Sequence, residues 1–234
     1  MLSLPDVTLL SATSVDLHKA VYSLQVSGEN IQFGAVKLLS PERPDVLPSS
    51  IEHVAIPNID FYGYSKFMIE ELFRYVDTPY CLVTQADGFV VNVNKWRNDF
   101  LEYDYIGAPW PAILGSSAGN IDLDKNRVGN GGFSLRSQRF LEASSKILFD
   151  DMHVPIKSED FLLCHYLFDQ MVMDGIRFAP LELARQFAVE AQIDQNHHLN
   201  ETFGFHGKGW LTEARFQDIL SRSQLKHEIT SLLV

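Results

Sequence analysis

The chain reads as an α/β protein: a mostly parallel central sheet flanked by helices, with a C-terminal helical segment. Three observations point there. Short apolar runs alternate with segments of helical spacing from Val7 to Thr84. Their order, β-α-β-(β)-α-β, is that of a sheet whose crossovers carry helices. Of the 234 residues, 46% are apolar and 21% charged, a globular composition with material for a sizeable core. At roughly 100–200 residues per domain, this length predicts one large domain. We expect it over residues 1–209, with 210–234 as a helical segment packed on it.

Val7–Leu10 is β-like, and Val15–Leu24 has helical character after the turn Ser11-Ala12-Thr13-Ser14. Ile31–Leu39 reads as a second strand, closed by Ser-Pro-Glu-Arg-Pro, and Ile51–Ile56 as a third. Tyr64, Phe67, Met68, Leu72, Tyr75 and Val76 recur at helical spacing. That helix should stop before Thr78-Pro79, because a residue preceding proline avoids the α region. Tyr80–Thr84 is then a short apolar strand. The second half is less regular, with a Gly/Ser/Asn-rich stretch at 115–120 and a Gly-rich turn at 129–132. Helical patterns follow at Phe140, Ile147 and Leu148, and at Phe161, Cys164, Phe168 and Met171. Near the end, Leu225, Ile229, Leu232 and Leu233 form an apolar helical stripe. Docking on the domain is its ordinary reading; contact with a partner or a membrane surface is the alternative.

The balance of 19 basic and 30 acidic residues gives −11, which argues against an extended nucleic-acid or anionic-membrane footprint. No apolar run approaches the roughly 20 residues of a membrane span, and the N-terminus lacks the basic flank of a signal peptide. Cys81 and Cys164 read as buried hydrophobes rather than a redox pair. A cytoplasmic setting is expected, with peripheral membrane contact as the alternative.

In a sheet of this kind, ligands sit at the carboxyl ends of the strands. That singles out Ser11, Ala12 and Thr13 after the first strand, and Gln85-Ala86-Asp87-Gly88 after Thr84. Asp87 is placed to bind a cation or ribose hydroxyl, or to close the strand as an Asx-turn. Asp122-Leu123-Asp124 is also a carboxylate pair, but it lies in the polar segment NIDLDKN with no strand to hold it still, and reads as solvated loop. Gly129-Asn130-Gly131-Gly132 offers backbone N–H groups and space to a ligand, without the Gly-Lys-Ser/Thr of a phosphate loop. Glu159-Asp160 follows Ser158, an N-cap candidate. The pair serves either the helix dipole or proton transfer. His206, flanked by glycines and aromatics, is a packed residue or a ligand. His197 and His198 read as loop.

Several strings together resemble a known family: QADGFV, then W-x-x-x-F and YDYIGAPW, then VGNGGFSLRS, then ED, then a stretch from FAP to a glutamate, and finally FGFHG. They resemble a family of uncharacterised glycosyltransferase-like domains classed with the GT-A-fold, nucleotide-sugar-dependent enzymes. The resemblance runs from about Ser65 to His206 and is specific in YDYIGAPW and GNGGFSLRS. More distantly, the layout is similar to β-galactosyltransferase and Fringe-like enzymes. What the resemblance implies is a GT-A-type, Rossmann-like fold. It implies an inverting transfer of sugar from a nucleotide-sugar, UDP-sugar favoured, to a hydroxyl of a glycan, glycolipid or glycoprotein. On that reading Asp87 and His206 hold Mn²⁺ or Mg²⁺ on the diphosphate, and Asp160, ahead of Glu159, is the base. Asn130, Gly131 and Gly132 line the acceptor side, where Trp110 offers a face to a sugar ring. Gln85 stands where those relatives carry a first Asp, which leaves a metal-free variant open.

A diphosphate leaving group meets a protein already at −11, so its charge must be neutralised locally. Lys66, Arg127, Arg136 and Lys208 are helper candidates, each also readable as a surface or helix-face charge. Lys66 is counted with the donor site. Two alternatives stay open: a nucleotidyltransferase, which would release pyrophosphate, and a non-catalytic binding module for nucleotide-sugars or glycans. A metal-dependent phosphohydrolase fits less well, with no His-x-His or His-Asp pair.

Overall fold

The computed structural model describes residues 1–116 and 119–212. Strand β1 (Leu2–Ala12), helix α1 (Leu17–Gly28), β2 (Ile31–Ser40), β3 (Glu52–Ala55), helix α2 (Phe61–Glu70) and β4 (Tyr80–Thr84) follow in order. These four strands pair in parallel. β5 (Tyr105–Gly107) and a small hairpin of β6 (Ile113–Ser116) and β7 (Gly119–Asp122) lead to β8 (Phe133–Ser137). β8 inserts antiparallel between β4 and β5, giving a six-stranded sheet in the order β3-β2-β1-β4-β8-β5. The expected mostly parallel α/β sheet is therefore present.

β1 is longer than its apolar run, because it pairs with β2 from Leu2 to Ala12. The pairing is irregular between Leu4 and Thr8, around Pro5, which has no N–H to donate. Gly34 lies opposite, where a Cβ would stand 2.1 Å from the Pro5 carbonyl oxygen. From Val7 to Ala12 every residue is buried, so both faces of this strand are covered. That explains its continuous rather than alternating apolar pattern.

Two helices differ from the periodicity. The one expected from Tyr64 to Val76 divides: α2 ends at Glu70, and a 3₁₀ turn over Leu72–Tyr75 continues the same buried face. The pattern from Phe161 to Met171 also breaks. After α3 (Gln138–Ser144), a short helix α4 (Glu159–Phe161) passes into a π-helical turn, Leu162–Tyr166, then α5 (Phe168–Met173). There the Leu167 N–H reaches back five residues to the Leu162 carbonyl. Ile147 and Leu148 lie beyond the end of α3, and Leu148 is exposed. Helix α6 (Leu181–Phe187), β9 (Ala188–Val189), β10 (Gly204–Phe205) and α7 (Lys208–Thr212) complete the described chain. The C-terminal stripe at Leu225, Ile229, Leu232 and Leu233 lies outside the described residues. Among those described, no helix is long and apolar enough to cross a membrane. Both cysteines are buried and unpaired, and burial pushes the Cys81 thiol up to about 12.

Asp104, inside the YDYIGAPW string, ties the far edge of the sheet together. Its carboxylate accepts from Ser137 Oγ at 2.7 Å, from the Arg177 N–H at 2.8 Å and from the Arg139 guanidinium. Burial alone would raise its pKa, but these donors outweigh it and hold the carboxyl below the ordinary value. Asp104→Ala should therefore cost about 3 kcal/mol in urea denaturation, the scale for a buried carboxylate that leaves several donors unpaired. A loss below about 0.5 kcal/mol would remove it from this role.

Candidate functional site

The carboxyl ends of β1 and β4 open onto one cavity of about 470 Å³. Ser11, Ala12 and Thr13 line it from the exit of β1, and Gln85, Ala86 and Asp87 from the exit of β4. Gly132, Ser158, Glu159, Asp160 and His206 close the opposite wall. Most of the residues singled out in sequence thus converge, from segments up to 195 positions apart (Ser11 to His206).

His206 sits at the centre of this convergence. Its Nε2 lies 3.1 Å from Gln85 Oε1 and 3.5 Å from Asp87 Oδ1. Its Nδ1 faces Glu190 Oε1 at 2.9 Å, with the Asn130 amide 3.1 Å away. The socket depends on glycines. A Cβ on Gly132 would lie 2.2 Å from His206 Nε2, and one on Gly88 3.1 Å from the ring carbon Cδ2. Gly207, at φ +108°, turns the chain so that its N–H reaches the Asp87 carbonyl at 2.8 Å. Burial alone would lower the imidazolium pKa, but the hydrogen bonds to Asp87 and Glu190 outweigh it and raise it to about 10. For Asp87, burial pulls the carboxyl upward, and His206 more than reverses this.

The other wall rests on a buried ion pair. Arg136 on β8 is fully buried, and its Nη2 donates to Glu159 Oε1 at 2.8 Å. It also donates to Ser134 Oγ and to the Gly131 carbonyl, and its guanidinium stacks over Tyr105. Burial pushes the Glu159 carboxyl up, against the pull of Arg136. Gly131 is required here, since a Cβ would stand 2.2 Å from Glu159 Oε1. The next residue, Asp160, accepts from the Gly131 N–H at 3.2 Å and from the Phe161 N–H at 2.8 Å. Its carboxylate is fixed at the cavity wall by backbone donors, while Glu159 is committed to Arg136.

The lining is acidic: Asp16, Asp60, Asp87, Glu159 and Asp160 share it with His206, and among the described residues no Lys or Arg lines the cavity. Lys66 pairs with Asp150 and Glu70 away from it. Arg136 is neither a surface charge nor a diphosphate helper, because Glu159 holds it in the core. Arg127 donates to the Trp110 carbonyl, and Lys208 is exposed. Trp110 is not a platform for a sugar ring. It is buried against Phe161 and presses on Gly129, where a Cβ would meet its ring at 2.1 Å. Gly88 lies behind the wall, its carbonyl accepting from Ser23. Asn130 and Gly131 likewise support the wall rather than line it. Asp122 and Asp124 are exposed, but the segment is not the expected loop: Asp122 ends β7, paired with Ile113, and Leu123 between the two acids is buried. His197, expected in a loop, is buried there with its Nε2 3.1 Å from the Ala188 carbonyl oxygen.

Sequence reasoning passed over Glu190 and Tyr64, and marked Ser14 only as the end of the turn after the first strand. Glu190 closes the stretch that begins with FAP and carried no role of its own. Tyr64 was counted toward a helix face, but it lines the cavity and its hydroxyl accepts from the Gln85 amide at 2.8 Å. Ser14 Oγ accepts from the Ile59 N–H, tying the β1 exit to the segment before α2.

Comparison with known proteins bears on the family and the fold. The model of a family described as a protein of unknown function (DUF5672) matches residues 50–206, enclosing the motif-bearing stretch. No curated protein matches the sequence. Among solved structures, the chain is similar to the galactosyltransferase LgtC in complex with donor and acceptor sugar analogs. The identity is 13%, the TM-score 0.52, and coverage is 97% of this chain and 95% of that one. It is also similar to the glycosyltransferase GlyE of Streptococcus pneumoniae, at 11% identity and TM-score 0.52, covering 96% of this chain and 62% of that one. The fold is that of GT-A glycosyltransferases.

Breaking the ion pair from one side should be costly. Arg136→Met is expected to lose about 3–5 kcal/mol of stability in urea denaturation, because it strands a buried carboxylate. The double variant Arg136→Met/Glu159→Leu should recover much of that loss. A double variant no more stable than the single one would show that the pair is not the anchor.

Proposed function

We propose that this chain, which belongs to the DUF5672 family, is a glycosyltransferase. It moves a sugar from a nucleotide-sugar donor, a UDP-sugar favoured, to a hydroxyl of a glycan, glycolipid or glycoprotein acceptor, with inversion. One observation carries the reading: Asp160, held by backbone N–H groups, shares a cavity at the strand ends with Asp87 and His206.

The chemistry assigns each group a task. The Asp160 carboxylate takes the proton of the acceptor hydroxyl as its oxygen bonds the anomeric carbon. The bond from that carbon to the diphosphate breaks on the opposite side, so the configuration inverts. Glu159, locked to Arg136, keeps the start of α4 in place and so fixes the Asp160 position.

The leaving diphosphate would enter a cavity lined by carboxylates and, among the described residues, by no lysine or arginine. Among the described residues, no group of three or more His, Cys, Asp or Glu side chains could hold a metal ion by itself. The donor atoms that do converge are a ring nitrogen, a carboxylate oxygen and the Gln85 amide oxygen. This mixed set suits Mn²⁺ or Mg²⁺ when diphosphate and water complete the shell. Asp87 and His206 would hold the ion, with Gln85 beside them, and the ion would supply Lewis-acid neutralisation of the diphosphate.

The test needs no known acceptor. Sugar nucleotides are screened by thermal shift with Mn²⁺, Mg²⁺ or EDTA, with Asp87→Ala alongside. A ligand at 100 times its Kd adds about 2.7 kcal/mol, or roughly 5–10 °C for a domain of this size. We expect a metal-dependent rise with one nucleotide family that is absent in Asp87→Ala. A rise that persists in EDTA would keep the transferase and remove the metal, and no rise with any sugar nucleotide would sink the reading. Once an acceptor is found, Asp160→Asn should lower turnover by more than about 100-fold with donor binding intact. The released product should be nucleoside diphosphate; pyrophosphate would mark a nucleotidyltransferase.

A further inference from the structure

We infer that Glu190 is the positioning residue for His206, orienting its ring so that Nε2 is presented to a divalent cation beside Asp87. The inference rests on the metal-dependent transferase reading above and adds a residue to it that does not line the cavity.

The placement comes from backbone pairing. β9 and β10 run parallel, with Ala188 opposite Gly204 and Val189 opposite Phe205. The next residues on the two strands are Glu190 and His206, and the His206 N–H continues the ladder by donating to the Val189 carbonyl at 2.9 Å. The Glu190 backbone is itself pinned, its carbonyl accepting from Trp210 Nε1 at 2.6 Å. The Glu190 carboxylate is therefore delivered to the Nδ1 side of the ring, 2.9 Å away.

The chemistry follows from the two ring nitrogens. A histidine binds a metal through a nitrogen lone pair, and the partner of its other nitrogen decides which one is free. Glu190 is the nearer of the two partners of Nδ1, at 2.9 Å against 3.1 Å for the Asn130 amide. With Nδ1–H donating to its carboxylate, the nitrogen that gives up its proton to a cation is Nε2, the atom that faces Gln85 Oε1 and Asp87 Oδ1. The negative charge also raises the basicity of the ring toward a cation. Such carboxylate–histidine partnerships hold the tautomer and the ring angle of metal-binding histidines, and their loss typically costs 10–100-fold in metal affinity. Gly88 and Gly132 both bring backbone close to the ring, where a Cβ would stand 3.1 Å and 2.3 Å from its Cδ2, which leaves the ring little room.

Mn²⁺ affinity in the presence of UDP, read by the electron paramagnetic resonance of free Mn²⁺, tests this without an acceptor or turnover. Glu190→Gln keeps the size and an acceptor oxygen but removes the charge, and should weaken Mn²⁺ binding 10–100-fold. Glu190→Asp keeps the charge at a longer reach and should lose less. Should Glu190→Gln fail to melt cooperatively, Glu190→Asp carries the comparison alone. Unchanged Mn²⁺ affinity in a folded Glu190 variant would overturn the assignment while leaving the metal site standing. A wild-type chain that binds no Mn²⁺ with UDP would overturn both.

Discussion

The Arg136–Glu159 ion pair is the constraint on which the site depends. Arg136 heads the largest fully buried side chains among the described residues. Taking each of two such charges out of water costs several kcal/mol, so the pair persists only with close geometry and further hydrogen bonds. Ser134, the Gly131 carbonyl and the face of Tyr105 supply part of that support. The consequence is positional. β8 is an internal strand, flanked by β4 and β5, and the ion pair ties the start of α4 to it. In the proposed transfer, Asp160 would need that rigidity to act as a base, since a loosely held base loses much of its effect.

Close approach of side chains to backbone is the second theme. Gly129 admits Trp110, Gly131 admits Glu159 and Gly132 admits His206, each where a Cβ would fall about 2 Å from the intruding atom. The GNGG turn is thus three separate packing demands in four positions. YDYIGAPW forms its cradle. The Tyr105 hydroxyl donates toward the carbonyls of Gly129 and Asn130, and Gly107 lets the Asn130 carbonyl approach where a Cβ would stand 2.1 Å away. Strings that look like separate signals in the sequence are parts of one contact surface.

The electrostatics of the cavity match the whole chain. A protein at −11 lines its strand-end cavity with carboxylates, and two of the candidate cations turn elsewhere, Lys66 to Asp150 and Arg136 to Glu159. The imidazole of His206 is the one basic side chain in the lining among the described residues. An anionic ligand entering there meets carboxylates first, and among the described residues the charge of the exposed Lys208 is felt at Asp87.

The sequence alone determined the parallel part of the sheet, β1 to β4, because strands buried on both faces leave continuous apolar runs and their crossovers leave helical periodicity; the antiparallel β8 and β5 left no such pattern. It also determined which loops reach the strand ends, since chain order dictates that in a parallel sheet. Asp87, Asp160 and His206 were legible because glycines or a helix start flank them. What only the tertiary structure decided is the partner of each charge. Arg136 looks like any cation in a strand until β8 is found in the core, and Trp110 looks like a sugar platform until Phe161 covers it. Glu190 meets His206 solely through the pairing of two short parallel strands, whose two residues each are too few to leave a pattern. Periodicity records which face of an element is buried, whereas pairing between distant side chains depends on how the elements are set against one another.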